Sequence, residues 1–116
     1  MNIVVLRGTL SSEPVDRTLA SGSTIWSLEV TTRTEEGTFS APVAWVDPPH
    51  PPRVVAGDEV VVVGQVRRRG RSAGGVTQSR TEVVAATVVP AKRQADVRKA
   101  MARARNALAD DAVPAA

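Results

Sequence analysis

The chain has 116 residues but no cysteine, no tyrosine and only one histidine, His50. Without cysteine there are no disulfides and no thiolate chemistry, which is typical of proteins from a reducing cytoplasm. With no second His or any Cys to complete a metal site, His50 is interpreted as a solvated loop residue. No GxxxxGK[ST] phosphate-binding loop occurs, and solvation is the default for the carboxylates at predicted turns, which are Glu13, Asp16, Glu35, Glu36, Asp58 and Glu59. The sequence therefore predicts no enzyme, no metal or other cofactor, and no small-molecule substrate.

Long apolar runs are also missing, since no run approaches the roughly 18 residues that span a bilayer. The first residues, MNIVVLRGTL, lack a basic start and are interrupted by Arg7 and Gly8, so they are not predicted to be a signal peptide. No membrane partner is expected, and the predicted location is the cytoplasm.

Lysine is scarce, and thirteen of the fifteen basic residues are arginine. The net charge of +3 hides a split along the chain. Residues 1–59 hold four arginines and eight acidic residues, whereas residues 60–109 hold eleven basic residues and two acidic ones. Clustered positive charge attracts polyanions, so a polyanionic partner is favoured over a surface that is charged only for solubility.

Five segments have the composition and spacing of β-strands. They are NIVVLRGTL, TIWSLEVTTR, TFSAPVAWV, GDEVVVVGQVRRR and VTQSRTEVVAATVV. The second segment alternates cleanly, and Trp26 with its same-face aliphatics is assigned to the core. The valine run of the fourth predicts a strand covered on both sides. Pro42 in the third cannot donate to a ladder, so it is expected at an edge, a bulge or a strand end. The pattern predicts an all-β domain with a small five-stranded barrel over residues 1–90.

After Pro90 the composition changes to Ala, Arg and Lys, without Gly or Pro before residue 114. Val97, Met101, Ala104 and Leu108 form a narrow apolar stripe, which predicts a basic C-terminal α-helix over residues 91–109. So thin a stripe gives an isolated helix little stability, and the helix is expected to dock on another surface. Residues 110–116 are predicted to be a disordered tail.

Four stretches, taken in order, resemble the bacterial single-stranded DNA-binding protein (SSB) family. The first two are NIVVLRGTLSSEPVDR and SGSTIWSLEVTTR, and the later two are AGDEVVVVGQVRRR and RTEVVAATVV. The resemblance covers roughly residues 1–90 and implies a five-stranded OB-fold barrel followed by the predicted helix. It also implies a homo-oligomer, a tetramer as in the family or a dimer. The implied partner is single-stranded DNA, bound in a sequence-tolerant way during replication, recombination or repair in the nucleoid.

Two aromatics six residues apart in GTFSAPVAWVDPP match the pair that stacks on bases in that family. These are Phe39 and Trp45, and the even spacing puts both side chains on one face of a strand. A stacking platform is therefore geometrically possible, and the alternative is that the rings pack in the core.

Arginines dominate the predicted hairpin between the last two strands. Guanidinium groups pair with phosphates and stack on bases, so this hairpin is predicted to contact DNA; the alternative is a solvated hairpin tip. The resembled family carries further base-stacking tryptophans, one near the end of the second strand and one after the fourth. This sequence departs from the family there, with Arg33 or Thr34 at the first place and Arg71 at the second. The predicted DNA-binding residues are Phe39, Trp45, Arg33, Arg67, Arg68, Arg69, Arg71 and Arg80.

Other features depart from the resembled family. The proline segment DPPHPPRVVAG replaces the family's connecting helix, and DDAVPAA lacks the terminal aromatic that recruits partner proteins. Two alternatives to DNA binding therefore stay open. One is an SSB-like barrel that serves as a protein-interaction or assembly module, and the other is an RNA-binding OB module.

Overall fold

The computed structural model describes the backbone of residues 1–73 and 76–111 and the side chains of residues 1–68 and 80–110. Within these residues, six strands and one helix follow one another. They are β1 (Val4–Leu10), β2 (Val15–Thr18), β3 (Thr24–Thr34), β4 (Gly37–Val46), β5 (Glu59–Ala73), β6 (Val76–Pro90) and α1 (Gln94–Asp111).

Five of the strands close into a barrel. They pair in the order β1-β5-β6-β4-β3, and β3 returns to pair with β1 through Thr9–Thr31 and Leu10–Val30. Every neighbouring pair is antiparallel except β4 and β6, which run parallel. The predicted all-β OB-fold barrel with a C-terminal helix is thus confirmed. The remaining strand, β2, is short and fully exposed, and it pairs with β3 at the edge of the sheet. Its sequence, VDRT, lacks the apolar alternation from which a strand is predicted.

The barrel interior is mostly aliphatic, with β-branched valines on the long strand β5. Val60 and Val62 are completely buried inside the barrel, while Val63 belongs to a second cluster under the helix. Alternate residues of one strand therefore enter two different hydrophobic layers. This confirms the prediction that the valine run is covered on both sides.

The helix α1 packs against the outside of the barrel through small side chains. Ala100 and Ala104 are buried against Val63, with Ile3 and Val89 alongside. The predicted stripe is wrong at its last position, since Leu108 is 50% exposed. The helix also includes Asp110 and Asp111, where the sequence predicts a disordered tail, and residues 112–116 lie outside the described residues. Within the described ranges, no helix combines the length and the apolar character of a membrane span.

Two glycines allow the strands to approach closely. A Cβ on Gly8 would overlap the backbone carbonyl of Thr31, where β1 reaches β3 to close the barrel. A Cβ on Gly64 would overlap the carbonyl of Val84, beside an irregularity in the β5–β6 register. Both positions accept only a residue without a side chain unless the backbone shifts.

Candidate nucleic-acid interface

Two β-hairpins project from the same end of the barrel. Strands β4 and β6 are parallel, and their described pairings are Val43–Val83 and Ala44–Val84. β4 pairs with β3 from Gly37 onward, and β6 pairs with β5 from Val76 onward, so the parallel course of β4 and β6 places both hairpins at one end. In the described register, the residues of β4 before Val43 pair with β3 alone. Pro42 therefore lies immediately before the first residue of β4 that pairs with β6. We call this end, where the two hairpins separate, the open end of the barrel.

Phe39 lies at the open end and its side chain is 52% exposed. Alternation places Phe39, Ala41, Val43 and Trp45 on one face of β4. Along that face, burial increases from exposed Phe39 through half-buried Ala41 to buried Val43 and Trp45. The strand thus enters the barrel partway along its length, and of these four side chains only Phe39 remains outside.

Trp45 is 9% exposed and belongs to the hydrophobic core. In the β3–β4 ladder it stands directly opposite Trp26, which packs against the same core as predicted. Six residues of strand separate Trp45 from Phe39, about 20 Å at roughly 3.3 Å per residue. The expectation of two exposed rings on one platform is therefore wrong, because the second ring fills the interior toward the opposite end of the barrel.

We call residues 65–73 of β5 and residues 76–82 of β6 the arginine arm. Arg67, Arg68 and Arg80 are exposed on it. Neighbouring residues of a strand alternate between faces, so Arg67 and Arg68 leave the arm on opposite sides. Arg67 stands directly opposite Glu82, and Arg69 stands opposite Arg80 in the backbone register. The side chains of Arg69 and Arg71 lie outside the described residues.

One face of the arm continues the interior surface of the barrel. Val66 stands directly opposite buried Val83, which pairs in turn with Val43 of the core. Directly opposite residues share a face, so Val66 extends the core surface to the open end, where its side chain is 43% exposed. Arg68 and Thr81 form the next pair on this face. Sequence reasoning missed Val66, although it continues the alternation of Val60 and Val62.

Arg33 is exposed but lies on the other face of the β3–β4 hairpin. It stands directly opposite Thr38, whereas Phe39 stands opposite Thr32. Arg33 lines an open groove of about 520 Å³ between β1 and this hairpin, together with Arg7, Glu59 and several hydroxyl side chains. The Arg7 Nε donates to Glu59 Oε1 at 2.6 Å, so the positive charge of Arg7 is paired with a carboxylate. The structure thus brings Phe39 and Arg68 to the open end but places Arg33 on a different surface.

Asn2 fixes the base of the arginine arm. Its Nδ2 donates to the Val66 carbonyl at 2.6 Å, and its Oδ1 accepts from the Val66 N–H at 2.9 Å. The β1–β5 ladder itself ends at Val4–Gly64. The side-chain amide therefore supplies the pair of hydrogen bonds that another strand residue would have made at this register.

His50 is exposed within the proline segment that joins β4 to β5. It lines a cavity of about 310 Å³ with Trp45, Arg53 and Arg93 among its neighbours. Over the ranges that the structure describes, no group of three or more His, Cys, Asp or Glu side chains is placed to hold a metal ion.

Comparison with known proteins gives no family assignment. No protein-family model matches the chain, and no curated protein matches it with significant sequence similarity.

Proposed function

We propose that this protein binds single-stranded DNA at the open end of its barrel, in a sequence-tolerant way. One ring, Phe39, stacks on a base, and guanidinium groups of the arginine arm contact the phosphates. Every base has a π-face, so stacking on a side chain tolerates any sequence. Guanidinium groups keep their charge and match phosphate geometry, which suits them to the backbone.

The observation that carries this proposal is the position of Phe39. A phenyl side chain that stays exposed forgoes the roughly 1.5–3 kcal/mol that full burial would contribute. Here the ring lies on the interior-facing side of β4, at the end of the barrel from which the arm also projects. Val66 and Arg68 continue the same interior surface on the arm, so a base on Phe39 would have apolar and cationic neighbours.

The burial of Trp45 changes how much of the affinity is expected from base stacking and how much from phosphate contacts. A stacked base contributes about 1–3 kcal/mol, and the described open end has one exposed aromatic ring instead of two. Neutralisation of the phosphates supplies the rest of the affinity, and this contribution decreases as the salt concentration rises. We therefore propose modest affinity with a strong dependence on salt.

The test is Phe39→Ala against a matched control, Val55→Ala. Val55 is 53% exposed, similar to Phe39, but it lies in the β4–β5 connection at the other end of the barrel. Anisotropy of labelled oligo-dT should show a loss of about 5- to 150-fold for Phe39→Ala, the equivalent of about 1–3 kcal/mol of stacking. Val55→Ala should bind as the parent does. Equal affinity of all three proteins, each shown to be folded, would remove the stacking claim.

A protein-interaction or assembly module is the second candidate, and the enclosure of Trp45 in the core favours it because one stacking ring is lost. Oligo-dT that fails to bind at 50 mM salt would select this alternative over the first. Matched DNA and RNA strands in competition would separate a DNA-binding from an RNA-binding module, since only RNA carries the 2′-hydroxyl. The homo-oligomer is proposed from the SSB resemblance, and light scattering of the free protein tests it.

A further inference from the structure

The surface of helix α1 that faces solvent is strongly basic. Burial of Ala100 and Ala104 against the barrel leaves every basic side chain of the helix and of the turn before it exposed. These are Lys92, Arg93, Arg98, Lys99, Arg103 and Arg105. Across the described side chains from residue 92 to 110, only Asp96 and Asp110 are acidic. Among the described residues, the helix packs on the barrel through Ala100 and Ala104, which carry no charge.

The helix runs along the strands that form the arginine arm. Near its start, Asp96 and Ala100 share a groove with Thr87 and Val89 of β6. Near its end, Ala107 and Asp110 lie beside Gln65, at the base of the arm. Strand β5 passes Val63 and enters the arm at Gln65, so helix and strand point toward the same end of the molecule.

Two of the basic side chains lie on the β6 side of the helix. Lys99 and Arg103 line a groove of about 200 Å³ with Thr87, Val89 and Ala100. The groove holds one carboxylate, Asp96, whose Oδ2 lies 3.9 Å from Arg93 Nη1. Two positive charges, Lys99 and Arg103, thus face one carboxylate, so the lining of the groove keeps a net positive charge.

We propose that the Lys99–Arg103 groove is a second contact site for the phosphates of single-stranded DNA that leaves the arginine arm along β6. Seven residues of β6 separate Arg80 of the arm from Thr87 of the groove, about 23 Å at roughly 3.3 Å per residue. A single strand that occupies about 4–16 nucleotides on one OB-fold is long enough to cover such a path. This inference rests on the proposed function and extends its binding surface.

The chain offers a matched pair of double variants. In one, Lys99→Gln is combined with Arg103→Gln; in the other, Arg98→Gln is combined with Arg105→Gln. Both remove two exposed positive charges from the same helix and retain good helix formers. At about 100° per residue the two pairs project roughly 100–160° apart around the helix. If the helix only attracts DNA in a general way, both variants lose affinity alike. If single-stranded DNA binds on the β6 side of the helix, only the Lys99/Arg103 variant loses affinity.

Affinity is measured with two labelled oligo-dT strands, about 8 and about 30 nucleotides long, at several salt concentrations. For the long strand, the Lys99/Arg103 variant should bind about 5- to 20-fold more weakly. Its slope of log affinity against log salt should fall by about 1.4, since each lost phosphate contact on a single strand removes about 0.7. The short strand should bind within twofold of the parent, and the Arg98/Arg105 variant should match the parent for both strands.

Two results would overturn the inference while leaving the proposed function intact. Equal losses in the two variants would mean diffuse attraction, and no loss in either would mean that DNA does not reach the helix. If the unaltered protein binds neither strand, the proposed function fails and the inference fails with it. Far-ultraviolet circular dichroism of both variants confirms that the helix is retained.

Discussion

Trp26 and Trp45 stand directly opposite each other in the β3–β4 ladder and pack on the same hydrophobic core. Cross-strand neighbours on one face have Cβ atoms about 4.5–5.5 Å apart, so the two indoles occupy adjacent space in the interior. Both tryptophans of the chain thus contribute to folding.

From this pairing we predict that Trp45→Ala lowers the free energy of unfolding by about 3–5 kcal/mol, as large-to-small changes of buried aromatics do. Urea unfolding measures the loss, and exposed Phe39→Ala is the control, with a change of about 0.5 kcal/mol or less. Since Trp45→Ala can leave a marginal domain unfolded, Trp45→Phe tests the same idea in a folded protein. It should bind oligo-dT as the parent does. Weaker binding by a stable Trp45→Phe protein would mean that Trp45 takes part in DNA binding.

The strands of the barrel could be predicted because the evidence for each strand lies within its own segment of the sequence. Alternation in TIWSLEVTTR and the valine run of β5 each indicate a buried face without reference to any other segment. The same parity argument correctly put Phe39 and Trp45 on one face of β4, but parity does not say how far along that face the barrel closes. That point depends on where β4 meets β6, at Val43–Val83, which is a pairing of residues forty positions apart.

The candidate site was predictable only in part for the same reason. Arg68 and Val66 reach the open end through the register of a long hairpin, and the sequence does not fix that register. Arg33 was predicted as a DNA contact from its place near the end of the second strand, but its alternation with Thr32 turns it to the opposite face from Phe39. The charge-rich hairpin itself was visible from composition alone.

The salt dependence of binding tests the role of the arm. We predict that Arg80→Gln lowers the slope of log affinity against log salt by about 0.7, the value for one phosphate contact on a single strand. The control is Arg53→Gln, since Arg53 is also exposed but lies in the proline segment at the far end of the barrel. Titrations of oligo-dT between 50 and 300 mM salt give both slopes. A slope that falls equally in the two variants would mean that the arm has no special part in binding.

Closure of the barrel depends on Gly8. An added Cβ would meet the carbonyl of Thr31, and a backbone atom cannot move aside as a flexible side chain can. We therefore predict that Gly8→Ala forces β1 and β3 apart and destabilises the fold by about 1–3 kcal/mol, the usual cost of overpacking. Thr9→Ala, at the exposed neighbouring position, is the control. Urea midpoints provide the measurement, and equal midpoints for Gly8→Ala and the parent would show that the strands can separate without cost.

The Asn2 side chain holds the arginine arm where it leaves the barrel. Its amide makes two hydrogen bonds with the backbone of Val66, at 2.6 and 2.9 Å, beyond the last residue pair of the β1–β5 ladder. Each such bond contributes about 0.5–1.5 kcal/mol net. We predict that Asn2→Ala speeds hydrogen exchange at the Val66 amide about 5- to 150-fold and weakens oligo-dT binding. Asn2→Asp keeps the acceptor for the Val66 N–H and should retain most of the protection. If Val66 exchanges equally slowly in Asn2→Ala, the Asn2 side chain does not protect this amide, and Asn2 has no part in holding the arm at the open end.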